Sequence, residues 1–76
     1  MGLPSSKKVI SALTKDGFHP RGKSKSGSHQ AFRKELPGET RTVIVPLGKK
    51  EIPRGTMRSI IRQAGPTAKT LAALLR

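Results

Sequence analysis

Ser28-His29-Gln30-Ala31-Phe32-Arg33-Lys34-Glu35-Leu36-Pro37-Gly38-Glu39-Thr40-Arg41-Thr42-Val43-Ile44-Val45-Pro46 is the stretch that decides the fold. Thr40–Pro46 is rich in β-branched residues, which fit a pleated, half-buried surface, and Thr42-Val43-Ile44-Val45 is the strongest strand signal in the chain. Upstream, Ser28 to Leu36 suits a second strand. Its one large apolar residue before Leu36 is Phe32, which should point to the core. Side chains alternate along a strand, so His29, Ala31 and Arg33 are then expected on the opposite face. Between the runs stands Pro37-Gly38, where proline presets φ and glycine supplies a positive φ. An antiparallel pair is predicted.

Outward from this pair the chain reads as helical. Ser5-Ser6 opens a helix whose first-turn N–H groups a serine hydroxyl can satisfy. Val9, Ile10 and Leu13 share one face of it, and Gly17 stops it. Phe18 is expected to fold back onto that face. Residues 19–27, His-Pro-Arg-Gly-Lys-Ser-Lys-Ser-Gly, carry no large apolar side chain and read as a loop or a poorly formed first strand. On the other side, Pro46, Gly48, Pro53 and Gly55 mark a loop, and Thr56 is the expected N-cap of a second helix. Met57, Ile60, Ile61 and Ala64 follow at i, i+3, i+4 and i+7, an amphipathic face. Gly65-Pro66 ends that helix, Thr67 is the expected cap of a last one, and Leu71, Leu74 and Leu75 form its stripe. The order is helix, two or three strands, helix, short helix. An α+β domain spanning 1–76, with helices on one face of an antiparallel sheet, buries these stripes most economically.

Composition narrows the function. The 76 residues hold 16 Lys and Arg against 4 Asp and Glu, a net charge of +12. A chain this short has no room for a separate cofactor domain. Without cysteine there is no disulfide, thiolate nucleophile or zinc knuckle. With two histidines and four acids, neither a metal site nor a cofactor is expected. Leu71–Leu75 is far short of the roughly 20 apolar residues that span a bilayer. No apolar leader is apparent either, so a cytoplasmic protein away from membranes is expected. The positive charge is concentrated between residues 21 and 62 and is not a detachable tail, which favours a folded basic surface. Nucleic acid is the commonest partner for such a surface and an acidic protein the second.

Few residues are placed for chemistry. Glu35, Glu39 and Glu51 lie in or beside turns and form no acid–base pair. Gly22-Lys-Ser-Lys-Ser-Gly27 lacks the spacing of a phosphate-binding glycine loop. His19 precedes a proline and reads as an inert loop residue. His29 differs: it opens a strand, close to Lys23 and Lys25, on the face opposite Phe32. A lone histidine in a basic field suits RNA. The substrate's own 2′-hydroxyl is the nucleophile, so the protein supplies only an acid–base group and cations for the charged transition state. DNA lacks that hydroxyl and would need an activated water. Lys23, Lys25, Arg33 and Arg41, which flank or share the expected face of His29, are the candidate phosphate contacts.

Gly17-Phe18, Gly27-Ser28-His29, Val43-Ile44-Val45-Pro46 and Gly55-Thr56-Met57-Arg58-Ser59-Ile60-Ile61-Arg62-Gln63-Ala64-Gly65, in this order, resemble the HicA mRNA interferase toxins. The resemblance covers about Val9 to Leu75. It implies a fold like the double-stranded-RNA-binding domain, helix–three-stranded antiparallel sheet–helix. It further implies a ribosome-independent ribonuclease with His29 as the catalytic histidine and Ser28 beside it at the RNA. The implied partners are mRNA and a cognate HicB antitoxin, which the basic surface suggests is acidic. This chain departs from the family in its longer, polar 19–26 segment. It also has Leu47-Gly48 where a second histidine often follows Val-Pro. Two other readings use the same residues. A non-catalytic RNA-binding module of this fold needs nothing of His29. A DNA-binding helix-turn-helix would use Met57–Ala64 and Thr67–Leu75, but the second of these has few base-reading side chains. Stacking platforms for single strands are disfavoured, since both phenylalanines are expected in the core.

Overall fold

In the computed structural model, which describes residues 2–22 and 27–75, the expected strand pair is a regular hairpin. Strand β2 (His29–Leu36) runs antiparallel to β3 (Glu39–Pro46), with Phe32 opposite Val43 and His29 opposite Pro46. Pro37 and Gly38 make the two-residue turn. Gly38 takes φ 78°, a value open to glycine at little cost, and proline before it supplies the other half of a type II turn. A three-residue strand β1 (His19–Arg21) pairs antiparallel with the outer edge of β2, giving the order β1-β2-β3. His19 thus sits in a strand, exposed, across from Arg33, and not in a loop. Pro20 has no N–H to offer a sheet, which confines it to an edge strand such as this one.

Alternation sorts the sheet into two faces. Phe32, Val43 and Val45 are buried on one face, whereas Ile44 is 45% exposed on the other. Helices cover the first face. Helix α1 (Ser6–Lys15) starts at Ser5, whose side chain accepts from the Lys8 N–H, and buries Val9, Ala12 and Leu13. Phe18 does fold back beneath it and is fully buried. Helix α2 (Arg54–Ala64) adds Met57, Ile60 and Ala64 to the same core, with Ile61 packed at its margin. Each of the larger side chains contributes on the order of 1.5–3 kcal/mol by burial. No helix among the described residues is long and apolar enough to cross a membrane.

Both caps expected in the second half are corrected. Helix α2 begins before Thr56, at Arg54, with Pro53 in the N-cap position and no side-chain cap. Ile52 is fully buried and its N–H donates to the Pro4 carbonyl, so the chain is anchored there. The first turn then closes on Pro53, whose carbonyl accepts from the Met57 N–H. Helix α3 (Lys69–Ala73) is not capped by Thr67. The carboxylate of Asp16, at the end of α1, accepts from the N–H groups of Thr70 (3.1 Å) and Leu71 (2.8 Å). A residue more than fifty positions away thereby caps the last helix and ties it to the first.

Candidate functional site

Helix α2 runs beside the free edge of β3, and the seam between them opens as a shallow groove of about 350 Å³. His29 and Pro46 form one end of its floor, with Ile44 next to them. Thr56, Ser59 and Gln63 line its helical wall, and Lys49 and Pro53 its rim. Among the described residues that line it there is no carboxylate. The loop after β3 is held in place by hydrogen bonds. Leu47 N–H donates to the Ser28 carbonyl at 2.7 Å. The buried Ser6 hydroxyl donates to the Pro46 carbonyl (2.6 Å) and accepts from the Lys49 N–H (3.0 Å). These bonds place the base of Lys49 near the start of β2, where His29 stands.

His29 is exposed, and its Nδ1 lies 3.0 Å from Ser28 Oγ. A contact at Nδ1 fixes the ring's orientation and leaves Nε2 for a bound molecule. Ser28 therefore touches the imidazole itself. Arg33 shares the face of His29, as alternation requires, four residues or about 13 Å along the strand. There it borders a second, smaller depression with His19, Arg21 and Glu35.

Arg41 departs from expectation. It lies opposite Lys34, on the helix side with Val43, and not on the face of His29. Its Nη1 reaches toward the Gln63 carbonyl at 3.4 Å, and its Nε lies 3.5 Å from Glu39 Oε2 without a hydrogen-bond partner. Gly65 makes room for it: a Cβ there would stand 2.5 Å from Arg41 Cζ. Position 65 also has φ 85°, a left-handed conformation that favours glycine; the guanidinium, at the end of a flexible side chain, could move aside for a Cβ, but the backbone could not. Arg41 closes the C-terminal end of α2. Lys23 and Lys25 lie outside the described residues.

Thr56, Ser59, Gln63 and Lys49 are not among the candidate catalytic or binding residues read from the sequence, although the first three lie in the Gly55–Gly65 motif. The signal for the first three was present. They recur at i, i+3 and i+7, a polar stripe beside the apolar stripe of Met57, Ile60 and Ala64. A strand edge waiting for a helix is a tertiary fact, so nothing local told that stripe from a solvated one. Among the described residues no three His, Cys, Asp or Glu side chains gather as a metal site would require.

A family model described as HicA toxin of bacterial toxin-antitoxin matches residues 6–65. No curated protein matches the chain.

Proposed function

Because the chain belongs to the HicA toxin family, and so is a toxin whose counterpart is an antitoxin, we propose that it is an endoribonuclease that cleaves mRNA with His29 as its acid–base group. The observation that carries this reading is the placement of His29. It stands exposed in a groove whose described lining includes a lysine and hydroxyls, with Nδ1 held by Ser28.

The chemistry needs little more. With Nδ1–H donating to Ser28 Oγ, Nε2 carries a lone pair and takes the proton of the RNA 2′-hydroxyl. The 2′-oxygen forms a bond to phosphorus as the bond to the 5′-oxygen breaks. The leaving oxygen takes a proton from water, and His29 returns its own to solvent. The products are a 2′,3′-cyclic phosphate and a 5′-hydroxyl. The nucleophile and the electrophile both belong to the substrate, so the reaction runs without a metal ion. The partner antitoxin, of the HicB type and acidic, blocks the groove by occupying it. Toxin, antitoxin and mRNA meet in the cytoplasm.

Purified protein and its His29→Ala variant are compared on a long RNA in excess EDTA. The wild type should cleave and leave cyclic phosphate ends, and the variant should lose on the order of 10²–10⁴ in rate. Equal cleavage by both would remove His29 from the chemistry. RNA binding without cleavage by the wild type would leave a non-catalytic RNA-binding module.

A further inference from the structure

One side chain in the groove is held in a way that its surroundings do not use. Ile44 N–H points out of the free edge of β3 and donates to Gln63 Oε1 at 3.0 Å. A backbone N–H must meet an oxygen, so this contact fixes which end of the Gln63 amide is which. The Nε2 end then donates to Ser59 Oγ at 3.1 Å. Ser59 Oγ is thus an acceptor inside the protein, and its own proton finds no acceptor among the described residues. A hydroxyl on a helix either turns its proton back to the carbonyl four residues earlier or points outward. Thr14 does the first on α1, donating to the Ile10 carbonyl at 2.9 Å. Ser59 is exposed in the groove that His29 also lines, with one lone pair engaged by Gln63 and its O–H available to donate to a bound molecule.

We infer that Ser59 is a catalytic hydrogen-bond donor to a non-bridging oxygen of the scissile phosphodiester, oriented by Gln63. This rests on the reading of His29 as the acid–base group. As the 2′-oxygen adds to phosphorus, negative charge grows on the non-bridging oxygens, and a donor already aimed at them lowers the barrier. The bonds from Ile44 to Gln63 and from Gln63 to Ser59 run in one direction, so each polarises the next. Lys49 on the same rim adds a positive charge. Donor and cation together match a phosphate oxyanion. Gln63 is a positioning residue: its amide accepts from Ile44 N–H at one end and donates to Ser59 at the other, which fixes its orientation.

The test uses single-turnover cleavage at saturating RNA, at a linkage that the wild type cuts. Ser59→Ala should lower the rate on the order of 10²-fold, with RNA affinity and melting temperature close to wild type. Ser59→Thr, which keeps a hydroxyl, should recover most of the rate. Gln63→Glu still accepts from Ile44 N–H but cannot donate to Ser59. It should instead accept the Ser59 proton and slow cleavage as Ser59→Ala does. A phosphorothioate at the scissile linkage should slow the wild type in one diastereomer, because sulfur accepts hydrogen bonds poorly, and Ser59→Ala should lose that discrimination. If Ser59→Ala cleaves within threefold of wild type while His29→Ala is inactive, the inference is wrong and the ribonuclease reading stands. A slow Ser59→Ala that keeps the diastereomer preference also overturns it, since the hydroxyl then acts only through the fold. If the wild type leaves RNA intact, or His29→Ala cleaves equally, the reading itself fails and the inference with it.

Discussion

Two arginines that look alike in sequence do different work at the level of single residues. Arg33 and Arg41 both lie in strands within a basic stretch, and both carry a charge suited to phosphate. Arg33 stands on the open face with His29, whereas Arg41 is turned to the C-terminal end of α2, against Gln63 and Gly65. A helix end concentrates partial negative charge on its last carbonyls, and a cation there is stabilising. Arg33→Ala should flatten the dependence of log K on log salt for single-stranded RNA by about 0.7, the share of one phosphate contact. Arg41→Ala should leave the slope unchanged and lower the melting temperature. Titrations at several salt concentrations, run on the His29→Ala background to keep the RNA intact, give both slopes. Equal slopes for the two variants would show that the face of the sheet does not select the contact. Lys34 is likewise taken up by the fold: its Nζ donates to the Asp16 carbonyl at 2.7 Å and lies 5.9 Å from the Phe18 ring centroid.

Between elements, Asp16 is the residue with the widest reach. Helix α3 has five residues, too few to persist alone. It depends on Leu71, which is fully buried, and on the carboxylate that holds its first N–H groups. Asp16→Ala removes both cap bonds and should cost about 1–2 kcal/mol. For a domain of this size that corresponds to a drop in melting temperature of roughly 4–16 °C. Asp16→Asn keeps one acceptor and should fall between. Thermal melts followed by circular dichroism decide it, and a melting temperature unchanged in Asp16→Ala would mean that apolar packing of Ala68, Leu71, Leu74 and Leu75 holds α3 without the cap. Gln63 plays the corresponding part for α2 and β3. It satisfies an edge N–H that would otherwise invite another strand.

At the scale of the whole molecule the net charge is +12, and among the described residues one ion pair, Arg41 with Glu39, offsets it. Asp16 caps a helix, Glu39 sits beside Arg41, and Glu51 accepts from the Leu3 N–H. An acidic antitoxin would be steered toward so basic a chain, with an association rate that falls steeply as salt rises. Stoichiometric antitoxin should protect RNA completely, and His29→Ala toxin should still bind it. Size-exclusion chromatography and a cleavage assay on the purified complex test this. A stable complex that still cleaves RNA would place the antitoxin away from the groove.

The hairpin of β2 and β3 and the apolar faces of α1 and α2 were legible in sequence, because each rests on a local period and on turn residues whose conformations are set within two or three positions. The placement of His29 opposite Phe32 followed from the same alternation. Caps and contacts between distant positions were not legible. Nothing near Lys69 announces that Asp16 will cap it, and nothing near Arg41 announces that it will close α2. The groove belongs to this second class. Alternation brought His29 to the open face, but only the docking of α2 on the edge of β3 set Ser59 and Gln63 beside it. The pattern of apolar residues determines which faces are buried. Which polar side chains meet across the seam depends on where the buried faces come to rest.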